Sequence, residues 1–572
     1  MAKEKQKKKE QVSVLVKSKT GQKNIFERLE FWLEERSKKI FYHSLGITLL
    51  FSLLHFNVRI SEGGDDSTYV HAGHQYASDF FNYYFTYNAP LYPMFLSLPV
   101  KFFGINIVLL KFISLIFNFF SLWFFYKAFD KRVPYLVLFP VIFFYAVNAY
   151  MQYFASQTYN EAFYLFLQSL FLFYFFKLWD NIKDSDNFSS LKQNWKLWLI
   201  VGFLMMIISI TKNVAIIIFP VVVLFFLLQK QWKNAISALL VSIFARGFYE
   251  VIKTMIWGSV AQISSQGSML LLKDPYIKEK GMEDFIGYVN RFFLNSEIYL
   301  SKRFFQIIGF TADASTNIYG FLTLFIITLL IVGLISIIRN KNRILLFCWL
   351  FAGLVLAATF IVLQIRWDQP RFILVHTPVI LLITFFGFYM LFKKIKSGYG
   401  VYILIILIIN VSVLISSVRK VAANVPTLSQ NLKGDLYYGF TPDWVNFLKM
   451  SRWCADSLPE NSIVVSRKAS MSFIYGNGKE FFSINSVIHY DPKTKQSNPD
   501  SAMMFFKKNK IQYVIMASLR LNPREKTANV INTIHNIMQP LVKSPKYMDK
   551  IILKHQEGKM EDEPCFLYEI KY

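Results

Sequence analysis

The 572-residue chain is 54% hydrophobic and 18% aromatic with a positive mean hydropathy, which excludes a soluble protein of several domains and leaves a polytopic membrane protein. Its formal net charge of +26 does not point to nucleic acid. The basic residues cluster between apolar segments and in the tails, as expected of cytoplasmic loops, with anionic lipid head groups and phosphate-bearing substrates able to use the remainder.

Residues 1–39 hold twelve Lys or Arg against six acids and are expected to form a basic cytoplasmic segment. Within it, Ile25, Phe26, Leu29, Trp32 and Leu33 share one helical face, so Asn24 to Lys38 suits a helix resting on the inner leaflet. Phe41 to Asn57 is the first span. With about 20 helical residues needed per crossing, further spans are expected near 105–126, 133–150, 161–178, 197–211, 213–229, 235–257, 317–338, 344–363, 372–392 and 400–418. These make about eleven in a membrane module covering 40–420. Segment 91–104, with Pro93 and Pro99, suits a re-entrant or interfacial piece.

Basic connections at Lys127 to Arg132, Lys177 to Lys196, Gln229 to Lys233, Arg339 to Arg343 and Lys393 to Lys396 fall on the N-terminal side. The opposite side receives Asn57 to Pro93, Met151 to Asn160, the Thr211 to Asn213 corner, a long loop from Gly258 to Thr316, and Ile365 to Arg371. After an odd number of spans, residues 421–572 also lie outside. β-rich runs at Ser462 to Ser466 and Ile511 to Met516 alternate there with helical stretches at Trp444 to Ser457 and Thr527 to Met538, the pattern of a small α/β domain. A bacterial inner membrane, N-terminus inside, is the expected location. No internal repeat is visible, which weakens an inverted-repeat transporter. Of three cysteines, Cys348 reads as packing in a span, while Cys454 and Cys565 share the C-terminal region and are disulfide candidates if it is extracytoplasmic.

The chain is organised around the polar stretch from Glu62 to Tyr76, which continues to Pro93. Asp65 and Asp66 follow the first span closely, where two adjacent carboxylates are costly without a partner or a task. The glycines before them permit a tight turn, and Tyr69 to Ala77 reads as a short helix. Asp65 and Asp66 suit a general base or a divalent-cation site, and Glu161, opening its span, supplies a further carboxylate. Lys212, Arg366 and Arg371 offer cations at interfacial depth, suited to a lipid-linked phosphate. A hydrated loop, a helix-opening acid and lipid-snorkelling cations are the structural alternatives.

Asp65, Asp66, Ser67, Thr68 and Tyr69, then Ala72 and Ala77, then Asn88 to Pro93 and Phe102 to Asn106, resemble the first outer loop of GT-C glycosyltransferases. The similarity is to the branch holding protein O-mannosyltransferases and the lipid A aminoarabinose transferase. Glu161 resembles the acid opening a later span of that branch, and Gln369 to Phe372 its Arg-aromatic pair before a late span. Two departures are Asp66 in place of Glu and a single Pro90 in place of a Pro-Pro pair.

The resemblance implies a GT-C-like helical module with an extracytoplasmic α/β domain and inverting transfer of a sugar from a polyprenyl-phosphate donor to an acceptor hydroxyl of a glycan, lipid or protein. Asp65 would be the catalytic base with Asp66 and Glu161 as supporting acids. Tyr69, His71, Tyr92, Lys212, Arg366 and Arg371 would contact substrate. A lipid or glycan transporter, or another lipid-linked group transferase, is the rival reading.

Overall fold

The structure, a computed structural model, describes residues 25–258, 260–261, 265–311, 317–395, 398–491, 493–521 and 530–572. Helix α1, Ile25–Glu35, packs against the membrane module and buries Phe26 against Tyr389 and Tyr402. It leads into α2, Ser37–Leu54. The polar first loop then forms α3, Asp65–Ser78, and the proline-bearing α4, Leu91–Phe103.

Every expected span is helical, but their lengths differ. Among the described residues, six helices are long and apolar enough to cross a bilayer: α5, Ile107–Phe129; α6, Glu161–Ile182; α7, Trp232–Trp257; α8, Gly320–Arg339; α9, Arg343–Val362; and α10, Gly398–Leu432. The segment expected at 133–150 is a broken pair, Tyr135–Val147 and Ala149–Ala155, bent by 54°. Asn148 sits at the break, and its side chain caps the second half by accepting from the Tyr150 and Met151 amides. The expected spans at Ser37–Leu54, Trp195–Ser209, Asn213–Leu228 and Thr377–Phe392 fall below that combined length and hydropathy. The chain is an integral, multi-pass membrane protein.

The last long helix departs from expectation by running on to Leu432, through Pro426, where the sequence reading ended its span at 418. At 35 residues it is about 50 Å long, well over a bilayer core. Residues 433–441 then connect it to the first helix of the C-terminal domain. The segment from Gly258 to Thr316, expected as a loop, holds the helix Phe285–Glu297 and a π-helical turn, Ile298–Arg303, which buries Tyr299.

The C-terminal domain carries a five-stranded sheet in the order Phe482–Ser483, Val464–Ser466, Tyr513–Met516, Cys565–Ile570, Ile551–Glu557. Its strands are β1, Val464–Ser466; β2, Phe482–Ser483; β3, Tyr513–Met516; β6, Ile551–Glu557; and β7, Cys565–Ile570. The strands β4, Leu519–Arg520, and β5, Val530–Ile531, form a separate ribbon. β1 pairs in parallel with β2 and β3, while β3–β7 and β7–β6 are antiparallel. Helices at Pro442–Ser457, Pro499–Lys508 and Thr533–Lys543 cover the sheet. The first part of the expected Thr527 to Met538 helix lies outside the described residues. Cys454 and Cys565 are buried in one apolar cluster with Trp444 and Phe447 but are not bonded to each other, so the expected disulfide is replaced by packing.

Candidate active site

The first loop is held from below by a lysine that the sequence reading passed over. Lys111, fully buried in α5, donates from Nζ to the Asn57 carbonyl at 2.9 Å, to Asn57 Oδ1 at 3.2 Å and to the Arg59 carbonyl. The chain then turns through Gly63 and Gly64. Gly64 has φ of +86°, a left-handed conformation that favours glycine, and a Cβ there would come within 3.1 Å of Lys468 Nζ. The turn makes Asp65 the first residue of α3, four residues before the expected start, because acids favour a helix N-terminus.

The two acids have different surroundings. Asp66 is fully buried and accepts from the Ser61 amide at 2.7 Å, the Ser61 hydroxyl at 3.0 Å and the Ser67 amide at 2.9 Å. Burial raises its carboxyl above the ordinary range, opposed by these bonds and by Lys111. Asp66 is therefore tied into the turn that opens α3. Asp65 is about a quarter exposed at 26% and is ion-paired with Arg371, whose side chain is 10% exposed. The guanidinium also stacks over Tyr159 and Phe372, each 5.0 Å from its carbon. Tyr159 in turn shares a hydrogen bond of 2.6 Å with Ser61 Oγ, closing a ring from Asp66 to Arg371.

A second ion pair stands beside the first. Lys212 Nζ lies 3.2 Å from Glu161 Oε1, with Glu161 almost wholly buried at the start of α6. Among the described residues Glu161 Oε2 and Arg371 Nε are buried and have no hydrogen-bond partner. Tyr69 accepts from Asn88 Nδ2 at 3.0 Å and joins the same wall.

These residues line a cavity of about 330 Å³. Its polar end holds Tyr69, Glu161, Lys212 and Arg371, and its apolar wall includes Val214, Ile217, Val362, Leu363 and Val375. Arg371, Trp367 and Phe372 also line a second cavity of about 280 Å³, with Asp65, Gln369, Arg467 and Lys468 around it. Arg371 thus separates an apolar chamber, walled by span ends, from a polar one under the C-terminal domain.

Other expected contacts lie elsewhere. Arg366 is held by Asp274 at 2.9 Å and lines a larger outer cavity of about 710 Å³. His71 stacks on Phe473 at 4.2 Å and bonds Ser470 and Glu480, so it joins α3 to the C-terminal domain. Tyr92 is buried between Tyr69 and Phe163, with its hydroxyl 3.2 Å from Ser114, behind the wall and not on it. The segment bearing Arg366 and Arg371 is pinned by Asp368, which pairs with both Lys302 and Arg303. A divalent cation does not suit these residues. Among the described residues no three His, Cys, Asp or Glu side chains gather to hold one, and Asp65 has a guanidinium as its partner.

The long apolar helices, the helical first loop and the sheet domain bonded to that loop make up one fold. Two solved structures share it. The oligosaccharyltransferase AglB of Archaeoglobus fulgidus, in complex with an inhibitory peptide and dolichol-phosphate, superposes with a TM-score of 0.53 at 12% identity over 84% of this chain and 69% of its own. ArnT from Cupriavidus metallidurans, bound to undecaprenyl phosphate, gives 0.51 at 11% identity over 92% of this chain and 97% of its own. No family model and no curated protein matches the sequence.

Proposed function

We propose that this chain is a membrane glycosyltransferase, moving a sugar from a polyprenyl-phosphate donor to an acceptor hydroxyl on the face that carries the first loop. That face would be extracytoplasmic, with 1–39 cytoplasmic, 40–420 the membrane module and 421–572 the outer domain. The observation that carries the reading is Arg371, which stands between an apolar chamber fit for a prenyl chain and a polar chamber fit for sugar and acceptor. The polyprenyl phosphates bound to the two structural relatives are the ligand class that such a chamber would take.

In this mechanism Asp65 takes the proton of the acceptor hydroxyl, whose oxygen forms a bond to the anomeric carbon. The bond from that carbon to the phosphate oxygen breaks, and its electron pair leaves on the polyprenyl phosphate. Attack opposite the leaving group inverts the centre. Arg371 and Lys212 hold the charge that grows on the departing phosphate, and Glu161 keeps Lys212 in place. The unused Arg371 Nε–H is a donor available to a phosphate oxygen.

Purified protein in liposomes supplied with a polyprenyl-phosphate sugar should consume donor and release free polyprenyl phosphate. Asp65→Asn should lower kcat about 10²-fold or more. Substrate movement without donor consumption would instead make the chain a transporter. Full turnover by Asp65→Asn would remove the base assignment.

A further inference from the structure

Three cavities meet beneath the C-terminal domain, with volumes of about 710, 280 and 270 Å³, and all three are lined by Gly63, Arg467, Lys468 and Asn485. The charge there is unbalanced. The largest is lined by Arg366, Arg467, Lys468, Lys495 and Arg520, with Glu62 as its only acid among the described residues. Two of these cations are neutralised from behind, Arg366 by Asp274 and Arg520 by Asp443 and Glu563.

Arg467 and Lys468 are not. Arg467 donates to Asn485 Oδ1 at 2.9 Å and to Thr533 Oγ1 at 3.3 Å, and Lys468 donates to the carbonyls of Glu62 and Gly63 at 3.0 Å each. Every one of these acceptors is a neutral oxygen, and among the described residues neither cation forms an ion pair. Glu62 and Asp65 lie on the walls of these cavities but pair with neither cation, and two adjacent cations turned into one concavity repel each other, a repulsion that a bound anion relieves. Tyr276, Trp367 and Tyr490 add aromatic surface of the kind that packs against sugar rings.

We propose that Arg467 and Lys468 form a second anion subsite, which faces Arg371 across their shared cavity but lies apart from Lys212, and which takes the phosphate of a phosphorylated saccharide. Calling that ligand a substrate rests on the transferase reading. The phosphate belongs either to the acceptor or to the lipid carrier. Guanidinium beside ammonium is matched to phosphate, because the planar fork takes two oxygens while the point charge adds attraction without fixed direction.

The test uses the full chain in detergent, with methyl glucoside 6-phosphate, methyl glucoside and undecaprenyl phosphate as probes. Wild type should bind the phosphorylated glucoside at least tenfold more tightly than the neutral one. Arg467→Gln should abolish that preference, and Arg467→Lys should retain part of it. Undecaprenyl phosphate binding that changes less than twofold in Arg467→Gln assigns the subsite to the acceptor. A tenfold loss of undecaprenyl phosphate binding assigns it to the carrier phosphate. Unchanged binding of both phosphorylated probes by folded Arg467→Gln overturns the subsite. Should that variant not fold, sodium phosphate must displace the phosphorylated glucoside from wild type, and failure to do so overturns it equally. Because these are binding measurements, they stand apart from donor turnover, whose absence would overturn only the transferase reading.

Discussion

Arg371 carries more of the proposed chemistry than any other single side chain, because it pairs with Asp65, the proposed base, and borders both chambers. Arg371→Lys retains a charge but loses the two-pronged geometry, whereas Arg371→Ala leaves Asp65 without its partner. Donor KM should rise in both, more in the alanine variant, and equal kinetics in all three proteins would refute a phosphate role. The pairing also alters what Asp65→Asn does to stability. Relief of repulsion with Asp66 is outweighed by loss of a charged partner for a mostly buried guanidinium, so a loss of about 1–3 kcal/mol is expected in thermal unfolding. Lys468 makes a pH prediction. Burial, then Arg467, lower its ammonium to about 8, against the opposing pull of Asp65, Asp66 and Glu62. The folded value lies below the unfolded value of about 10.4, so the charged form is disfavoured and stability from this group rises as pH climbs through 8. Anion binding runs the other way, since the cation disappears. A sugar phosphate keeps its charge above its second pKa of about 6. Its affinity for the full chain should therefore fall between pH 7 and 9, and Lys468→Gln should flatten that profile.

The α3 turn shows what one helix start demands of distant chain. Lys111 ties down the carbonyls of Asn57 and Arg59, Ser61 then reaches Asp66, and only after that does Asp65 open its helix. Lys111→Met removes the donor and leaves buried acceptors unmatched, which should cost about 2–4 kcal/mol. A melting temperature equal to wild type would show that the loop is held otherwise. The polar motif, the glycine pair and the helix were legible locally, since carboxylates beside a span and two glycines have few innocuous uses. The tie to Lys111 was not, because one lysine in an apolar segment does not reveal which carbonyls it will meet. Tyr92 was misplaced for a related reason: a tyrosine near a motif is assigned to the site or to the core by the helical face it occupies, and two prolines obscured that face. Arg467 and Lys468 follow a β-rich run and read as strand-end charges until the C-terminal domain is seen against the first loop.

The seating of that domain also constrains how the chain crosses the bilayer. Lys468 bonds the Glu62 and Gly63 carbonyls, His71 meets Ser470 and Glu480, and Arg59 reaches the Gly439 carbonyl, so the first loop and the C-terminal domain occupy the same side. An even number of crossings must therefore separate Asn57 from residue 440. The six long helices and the bent pair, all beyond Asn57, make seven, which is odd. We infer that the short apolar helices supply an odd number of further crossings. If all three of Trp195–Ser209, Asn213–Leu228 and Thr377–Phe392 cross, ten spans follow Asn57, and α2 brings the total to eleven. Packing against longer neighbours lets such helices reach through a locally thinned bilayer. The basic connections then all fall on the N-terminal side, as charge asymmetry requires. Phosphatase and fluorescent-protein fusions after Asn57, within 183–190 and at Tyr572 should report outside, inside and outside. An inside report at Tyr572 with an outside report after Asn57 would separate the first loop from the C-terminal domain, and with it dissolve both the polar chamber and the anion subsite between them.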